Sequence, residues 1–364
     1  MKIFVDARMM GSETSRGIGR VIFEILRRLL GDSSIEWIVL VRKQEQMNGL
    51  PTPARAIVAD IPWYGFQEQL QVAWILAWAR PDLAFFPHWN IPILSWTPFV
   101  CFIHDLILFH HPESAKISTR NLFYTKIKQW VQRIVVRLVV WRARWLFVPT
   151  QAVANDVAHF FPKVSSRLKA VGEGVSDLPK NCLSRACQGS YFLTVGSAYP
   201  HKRLDLVLRA WKTLSARYPN HSLVLVGEQD AFRARLQALA SKLALPRVIF
   251  PGQATDEELA SWYSYADLLL FPSEDEGFGL PPLEALALGC PVLSSDIPVL
   301  QEVLPKQGVR FFRNGDLDDM MRVWNECCVR APQIRAEVSN GAAMVRARHS
   351  WDEAAQHIRS FLLS

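Results

Sequence analysis

Apolar residues fall along this chain in short runs closed by glycine, proline or charge, with longer mixed stretches between them. KIFVDA, EWIVLV, ARAIVA, DLAFFP, PFVCFI and WLFVPT read as buried strands and alternate with helix-compatible segments through about residue 175. Runs of this kind, spaced by a helix's length of chain, are the pattern of a parallel α/β sheet covered on both faces. The polar, aperiodic stretch SDLPKNCLSRACQGS breaks the rhythm, which resumes with YFLTVG, SLVLVG, RVIFPG, DLLLFPS and PVLSS. The expected organisation is an α/β domain over 1–175, a linker over 176–190, a second α/β domain over 191–345 and a closing helix over 346–364.

Composition narrows the picture. Half of the 364 residues are apolar, which excludes a disordered or fibrous chain and suffices for two cores. The six cysteines are scattered without metal-ligand spacing and read as reduced cytosolic thiols. The start MKIFVDARMM lacks the apolar stretch of a secretory signal, so a cytoplasmic location is expected. VQRIVVRLVVWRARW is interrupted by arginines before it reaches the roughly 18 apolar residues of a spanning helix. Membrane contact would therefore be peripheral. A net charge of +7 favours an anionic partner, whether phospholipid, nucleic acid or a phosphorylated small molecule.

The stretch PSEDEGFGLPPLEALALGCPVLSSD, 272–296, carries the most specific chemistry. It reads as a turn leaving a buried strand and opening a helix, with Pro281 and Pro282 in the first helical turn, where a missing N–H costs nothing. Gly277 and Gly279 let backbone approach a ligand, and the helix N-terminus favours a phosphate or sugar oxygen. Glu284 is expected in the first helical turn, facing the same place. Either Glu276 and Glu284 accept hydrogen bonds from a polyol, or Glu284 complements the helix dipole and Glu276 is a solvated turn residue. The Glu-Asp-Glu run is read as a ligand-orienting or solvated face, and no obligatory metal is expected.

The spacing of Glu276, seven residues, then Glu284, within this stretch resembles the signature of family 4 retaining glycosyltransferases of the GT-B fold, in particular their mannosyltransferase-type group 1 members. The resemblance extends over nearly the whole chain, from SRGIGRVIFEIL through FFPHWNIPILSWTPFVCFIHDLILFHHPE and FLTVGSAYPHKRLDLVLRAW to HSWDEAA. It implies two Rossmann-like domains facing a crevice, the first binding the acceptor and the second the nucleotide sugar, with the C-terminal helix returning to the first. Glu276 would then lie against the transferred hexose and Glu284 against the ribose. The backbone of Phe278, Gly279 and Leu280 would hold sugar and diphosphate, and Lys202 would bind the diphosphate. Gly17, Gly19 and Gly196 would approach the donor. Many relatives carry an arginine where this chain has Ser197, and Arg203 is the alternative cation. On the acceptor side the resemblance implies His88, Asp105 and Tyr64, with His104 pointing at the sugar as a catalytic candidate beside Glu276 and Lys202. His110 and His111 read as hydrogen-bonded core residues. Phe66 reads as core more readily than as a sugar-stacking ring.

The reaction so implied is transfer of a hexose, with retention, from a nucleoside diphosphate to a glycan or polyprenyl-linked glycan in surface polysaccharide synthesis. GDP-mannose is the first expected donor, ahead of dTDP- or UDP-sugars, and no cofactor is obligatory. Lys126, Arg133, Arg137 and Arg144, at offsets of 7, 4 and 7 in a segment without acidic residues, would form one helical stripe beside Trp130 and Trp141. That stripe suits an anionic membrane on the inner face of the cytoplasmic membrane, or is a solvated domain edge. A basic nucleic-acid-binding module and a noncatalytic nucleotide-sugar binder are the rival readings. No nucleic-acid-binding motif accompanies the charge, and the first would leave the paired glutamates unexplained.

Overall fold

The computed structural model describes the chain apart from residues 12–16, 52–53, 64, 112–121 and 180–186, and apart from the side chains of 122–129, 131–132 and 340–341. Tyr64 and the side chain of Lys126 thus lie outside the described residues. Contacts divide the chain into two compact units: Met1–Leu106, Arg120–Gly174 and Ser350–Ser364 form one, and Ile107–Thr119 with Val175–His349 form the other.

In the first unit the elements are β1 (Lys2–Asp6), α1 (Ile18–Leu29), β2 (Glu36–Val41), β3 (Arg55–Val58), α2 (Phe66–Ala79), β4 (Leu83–Phe86) and β5 (Phe99–Phe102). The short α3 (Ile107–His110), which clusters with the other unit, precedes α4 (Leu122–Arg142), β6 (Leu146–Val148), α5 (Gln151–Phe160) and β7 (Leu168–Ala170). The strands pair in parallel in the order β3-β2-β1-β4-β5-β6-β7. The central β4 and β5 are buried along their whole length, whereas β3 at the edge is not.

The second unit runs β8 (Ser190–Val195), α6 (Leu204–Leu214), β9 (His221–Val226), α7 (Ala231–Lys242), β10 (Val248–Gly252), α8 (Asp256–Tyr265), β11 (Leu268–Phe271) and α9 (Leu280–Ala287). It continues with β12 (Val292–Ser295), α10 (Pro298–Val303), β13 (Val309–Phe312), α11 (Leu317–Val329) and α12 (Ala331–Arg348). Its sheet is also wholly parallel, ordered β10-β9-β8-β11-β12-β13. Thr255 and Glu258 form a reciprocal capping box at α8, and Asp230 caps α7, so these helix starts are fixed locally. The core gathers Phe192, Trp211 and Trp324 from β8, α6 and α11.

The last helix, α13 (Trp351–Leu362), packs on α1 and completes the first unit. Every strand read from the apolar runs is present. Two short ones were not legible: β7, whose LKA is half-exposed, and β13, whose VRFF carries an arginine.

Candidate active site

Both sheets reverse their strand order once, between β1 and β4 in the first and between β8 and β11 in the second. At such a point the loops leaving the two strands diverge to opposite faces, and ligands of open α/β sheets bind in the space left beyond the carboxyl ends. The residues singled out in the second half converge on the reversal between β8 and β11.

β8 ends at Val195, and Gly196 follows with φ 138°. A side chain at Gly227, at the end of β9, would overlap the Gly196 carbonyl oxygen. Ser197 is half-buried in the loop beyond. A 3-10 turn over Pro200–Lys202 then turns Lys202 back toward β11, where its Nζ donates to Glu276 Oε1 at 2.7 Å. Arg203 adopts φ 48° at the start of α6, and its guanidinium pairs with Glu274 and, at 3.3 Å, with Asp205. The Glu274 amide donates to the His201 carbonyl at 2.8 Å, tying the two loops together. His201 is buried; that burial, and then the charge of Lys202, hold its pKa down at about 3, so its ring is neutral.

Beyond β11 the turn 274–279 delivers Glu276, buried, and Phe278, whose ring meets His349 edge-on at 5.5 Å. Gly279 caps α9 with φ 94°, and a Cβ there would lie 2.7 Å from Leu300 Cδ2. Left-handed backbone and close packing both demand glycine. Pro281 and Pro282 lie in the first turn of α9 as expected, with a consequence for ligand binding: neither has an N–H, so Leu280 and Leu283 carry the amide donors of that turn. Glu284 falls in the second turn, not the first, because the helix begins at Leu280. It is buried, and its Oε2 accepts from the Tyr263 hydroxyl at 3.1 Å. His110 and His111 are not core residues. They are partly exposed, with His110 Nδ1 at 2.9 Å and His111 Nε2 at 3.8 Å from Asp275 Oδ2 of the same turn.

In the first unit, Gly17 caps α1 at φ 59° and Gly19 follows in its first turn. The loops leaving β1 and β4 line a small cleft, about 210 Å³ including its mouth, formed by Asp6, Arg8, Met9, Trp63, Phe86, Pro87, His88 and Asn90. Its floor is ionic. Arg8, almost fully buried, lies 2.6 Å from Asp6 and 2.5 Å from Glu68, and Asn90 Nδ2 donates to Glu68 at 2.6 Å. Burial pushes the Glu68 carboxyl up, against the pull of Arg8 and Asn90. His88 accepts from the Asn90 amide at 3.2 Å, and burial, then the neighbouring His104, lower its pKa to about 3. His104 is enclosed: Nε2 donates to the Pro87 carbonyl at 2.9 Å, Nδ1 faces Glu173 at 3.4 Å, and the ring stacks on Phe102 at 4.3 Å. Both of its nitrogens have protein partners. Asp105 follows it, half-buried.

Residues 186–317, which contain the whole of the β8/β11 site, match the family model of group 1 glycosyl transferases. The chain is 27% identical over 304 residues to the O-antigen chain mannosyltransferase RfbU of Salmonella typhimurium, covering 82% of this chain and 78% of that one. Over these segments the chain is similar to group 1 glycosyl transferases. It is also 28% identical over 273 residues to the serotype-specific mannosyltransferase WbdA of Escherichia coli, spanning 70% of this chain but only 32% of the relative. Among solved structures, sucrose-phosphate synthase from Thermosynechococcus elongatus superposes with a TM-score of 0.77 at 18% identity, covering 99% of this chain and 98% of that one. Anabaena HepE, solved with UDP and glucose, does so with 0.74 at 18% identity, covering 100% and 99%. The fold is thus the GT-B fold, with two Rossmann-like units.

Asp6, Arg8, Glu68 and Asn90 escaped the sequence reading. A signal was present, since Glu68 is the one acidic residue in a long apolar stretch and the Asp6/Arg8 pair directly ends a strand. The basic stripe is shorter than the spacing implied. α4 ends at Arg142, and Arg144 lies beyond it, its guanidinium donating to the Ser364 main-chain oxygen at 2.6 Å. Of the four cations, Arg133 and Arg137 have described side chains on that helix; Arg133 is half-buried and Arg137 exposed, and Trp130 and Trp141 are exposed. Among the described residues, no group of three or more His, Cys, Asp or Glu side chains is arranged to hold a metal ion, and no helix is long and apolar enough to cross a membrane.

Proposed function

We propose that the protein is a retaining glycosyltransferase that moves a hexose, mannose first, from a nucleoside-diphosphate sugar to a glycan or lipid-linked glycan in surface polysaccharide synthesis. The observation that carries this reading is the Lys202–Glu276 pair, 2.7 Å apart at the sheet reversal and next to Gly279. Glycosyl transfer from a nucleoside diphosphate develops positive charge at the anomeric carbon and negative charge on the departing phosphate. An ammonium and a carboxylate held together serve both. Lys202 and the α9 amides of Leu280 and Leu283 offset the diphosphate charge, while Glu276 orients the sugar hydroxyls and adds negative potential beside the carbon. Glu284, braced by Tyr263, accepts from the ribose hydroxyls. Arg203, engaged with Glu274 and Asp205, orders the turn that carries Glu276. Gly17, Gly19, Gly196 and Ser197 offer backbone to the donor; His88, Tyr64 and Asp105 belong to the acceptor side, and His104 supports it as a positioning residue. Retention follows if the acceptor hydroxyl attacks on the leaving-group face and a phosphate oxygen takes its proton.

The names of RfbU and WbdA favour mannose and hence GDP-mannose as donor. We place the reaction on the cytoplasmic side of the membrane, where nucleotide sugars are made. The deciding experiment measures release of GDP, UDP or dTDP from the corresponding sugars with and without an oligosaccharide or polyprenyl-linked acceptor. Acceptor-dependent GDP release from GDP-mannose is expected. Tight nucleotide binding without turnover of any donor would instead favour a noncatalytic binder, and acceptor-independent release a hydrolase.

A further inference from the structure

An apolar helix in a globular protein is covered on all sides, or one side faces something other than water. α2 is apolar on both sides. Glu68, Val72, Ile75, Leu76 and Ala79 point inward and are buried. The opposite face carries Phe66, Leu70, Trp74 and Trp78 at successive intervals of four, exposed by 77%, 49%, 69% and 55%. Residues four apart are neighbours on a helix surface, so these side chains form one continuous ridge. Between Ile61 and Pro81 the charged residues are Glu68, buried against Arg8, and Arg80. The outer face of α2 is therefore without charge, which no ordinary solvated helix face is.

The ridge continues onto its neighbours. Gln69 on α2 accepts from the Ile93 amide at 2.8 Å, and Arg142 at the end of α4 donates to the Ile93 carbonyl at 2.6 Å. The loop so pinned carries Leu94, exposed, and Trp96, 94% exposed, with the Arg142 guanidinium 5.9 Å from its ring. The cations at the border are arginines: Arg55 lies 4.9 Å from the Trp78 ring centroid, and Arg80 is exposed at the C-terminus of α2. The nearest acids in the chain are engaged elsewhere, Asp60 by Arg42 at 2.5 Å and Asp82 by the Lys2 amide at 2.7 Å.

We infer that this ridge inserts into the interfacial layer of a lipid bilayer and is the principal membrane-docking surface of the protein, in place of the basic stripe of α4. Tryptophan and arginine bordering leucine and phenylalanine suit the headgroup region, where rings sit at the boundary and guanidiniums meet phosphates. At 14 residues α2 is about 21 Å long, short of the roughly 30 Å hydrocarbon core, so it lies in the surface and does not cross it. Charge complementarity selects lipid over a second copy of the chain. Two such faces in a symmetric dimer would set arginine against arginine, whereas anionic headgroups neutralise them. The inference does not depend on the transfer chemistry.

The test is sedimentation with two kinds of vesicle, one of phosphatidylcholine alone and one of equal parts phosphatidylcholine and phosphatidylglycerol, at low and high salt. The wild-type chain is expected to pellet with both, more tightly with the anionic vesicles at low salt, and to keep its binding to the neutral ones at high salt, because apolar insertion is not screened. The variant Leu70→Gln/Trp74→Gln/Trp78→Gln should lose affinity for both by roughly tenfold or more while keeping its thermal unfolding and nucleotide binding, since all three side chains are exposed. Binding only to anionic vesicles and abolished by salt would return the role to the basic residues and overturn the inference. So would equal pelleting of the variant, or a concentration-dependent dimer that the variant dissolves without any vesicle binding.

Discussion

Glu276 and Glu284 meet different partners, a lysine and a tyrosine hydroxyl, so their removal should separate two functions. Glu284→Ala is expected to weaken nucleotide diphosphate binding by about 1.5 to 3 kcal/mol, roughly 10- to 100-fold, as for a lost hydrogen bond to a charged group. Titration calorimetry reads it directly, and Tyr263→Phe, which keeps the carboxylate, should lose less. Glu276→Ala should leave nucleotide affinity near wild type and lower turnover. Lys202→Ala should lower kcat and kcat/KM together, because its charge matters most as the diphosphate departs; wild-type kinetics in that variant would move the role to another cation. Gly279→Ala tests the backbone itself. A left-handed conformation costs an L-residue about 1 to 2 kcal/mol, and the added methyl meets Leu300, so α9 should shift and turnover should fall even though no charged group changes.

At the scale of elements, α13 is the segment whose attachment is most open to measurement. It buries Trp351, Ile358 and Leu362, and Trp351 fills the space that a side chain at Gly174 would need. Two ion pairs frame it, Arg28–Asp352 at 2.5 Å and Arg359–Asp32 at 2.6 Å. Hydrogen bonds from Ser34, then Arg359, hold the Asp32 carboxyl near pKa 2. Both pairs have an exposed partner, and exposed pairs contribute little. Ile358→Ala should therefore cost about 2 to 4 kcal/mol of stability in urea unfolding, and Arg359→Ala at most about 1 kcal/mol. The reverse ranking would mean that charge, not packing, holds the helix.

For the whole molecule, pH dependence follows from two neutral histidines. His88 and His201 are both held near pKa 3, chiefly by burial, against an ordinary value of 6.5. Between those values the unfolded chain binds a proton that the folded chain refuses. Stability is then full above about pH 6.5 and falls as pH drops through the window, each histidine adding up to about 1.4 kcal/mol per pH unit. His349, lowered by burial, acts in the same direction. Urea unfolding at pH 7 and pH 5 should show the loss, and His201→Gln should reduce the slope; a flat profile would mean that the rings are protonated in place.

Strands, the start of α9 and the Glu276/Glu284 spacing were legible because each is written within a few neighbouring residues: an apolar run, a glycine before two prolines. Those are local choices of backbone conformation and side-chain period, and the chain determines them by itself. Pairing across the sheet is another matter. Lys202 meets Glu276 over 74 positions, Arg8 meets Glu68 over 60 and His110 meets Asp275 over 165. No local pattern encodes these distances, because strand order decides which loops share a sheet reversal. The place of Phe66 shows the same limit from the other side, since an apolar period on α2 reads identically whether its face is covered or bare. Sequence determined that this helix carries apolar residues on two faces; only the tertiary structure, which buries Val72, Ile75, Leu76 and Ala79 and leaves Phe66, Leu70, Trp74 and Trp78 exposed, decided which face is open.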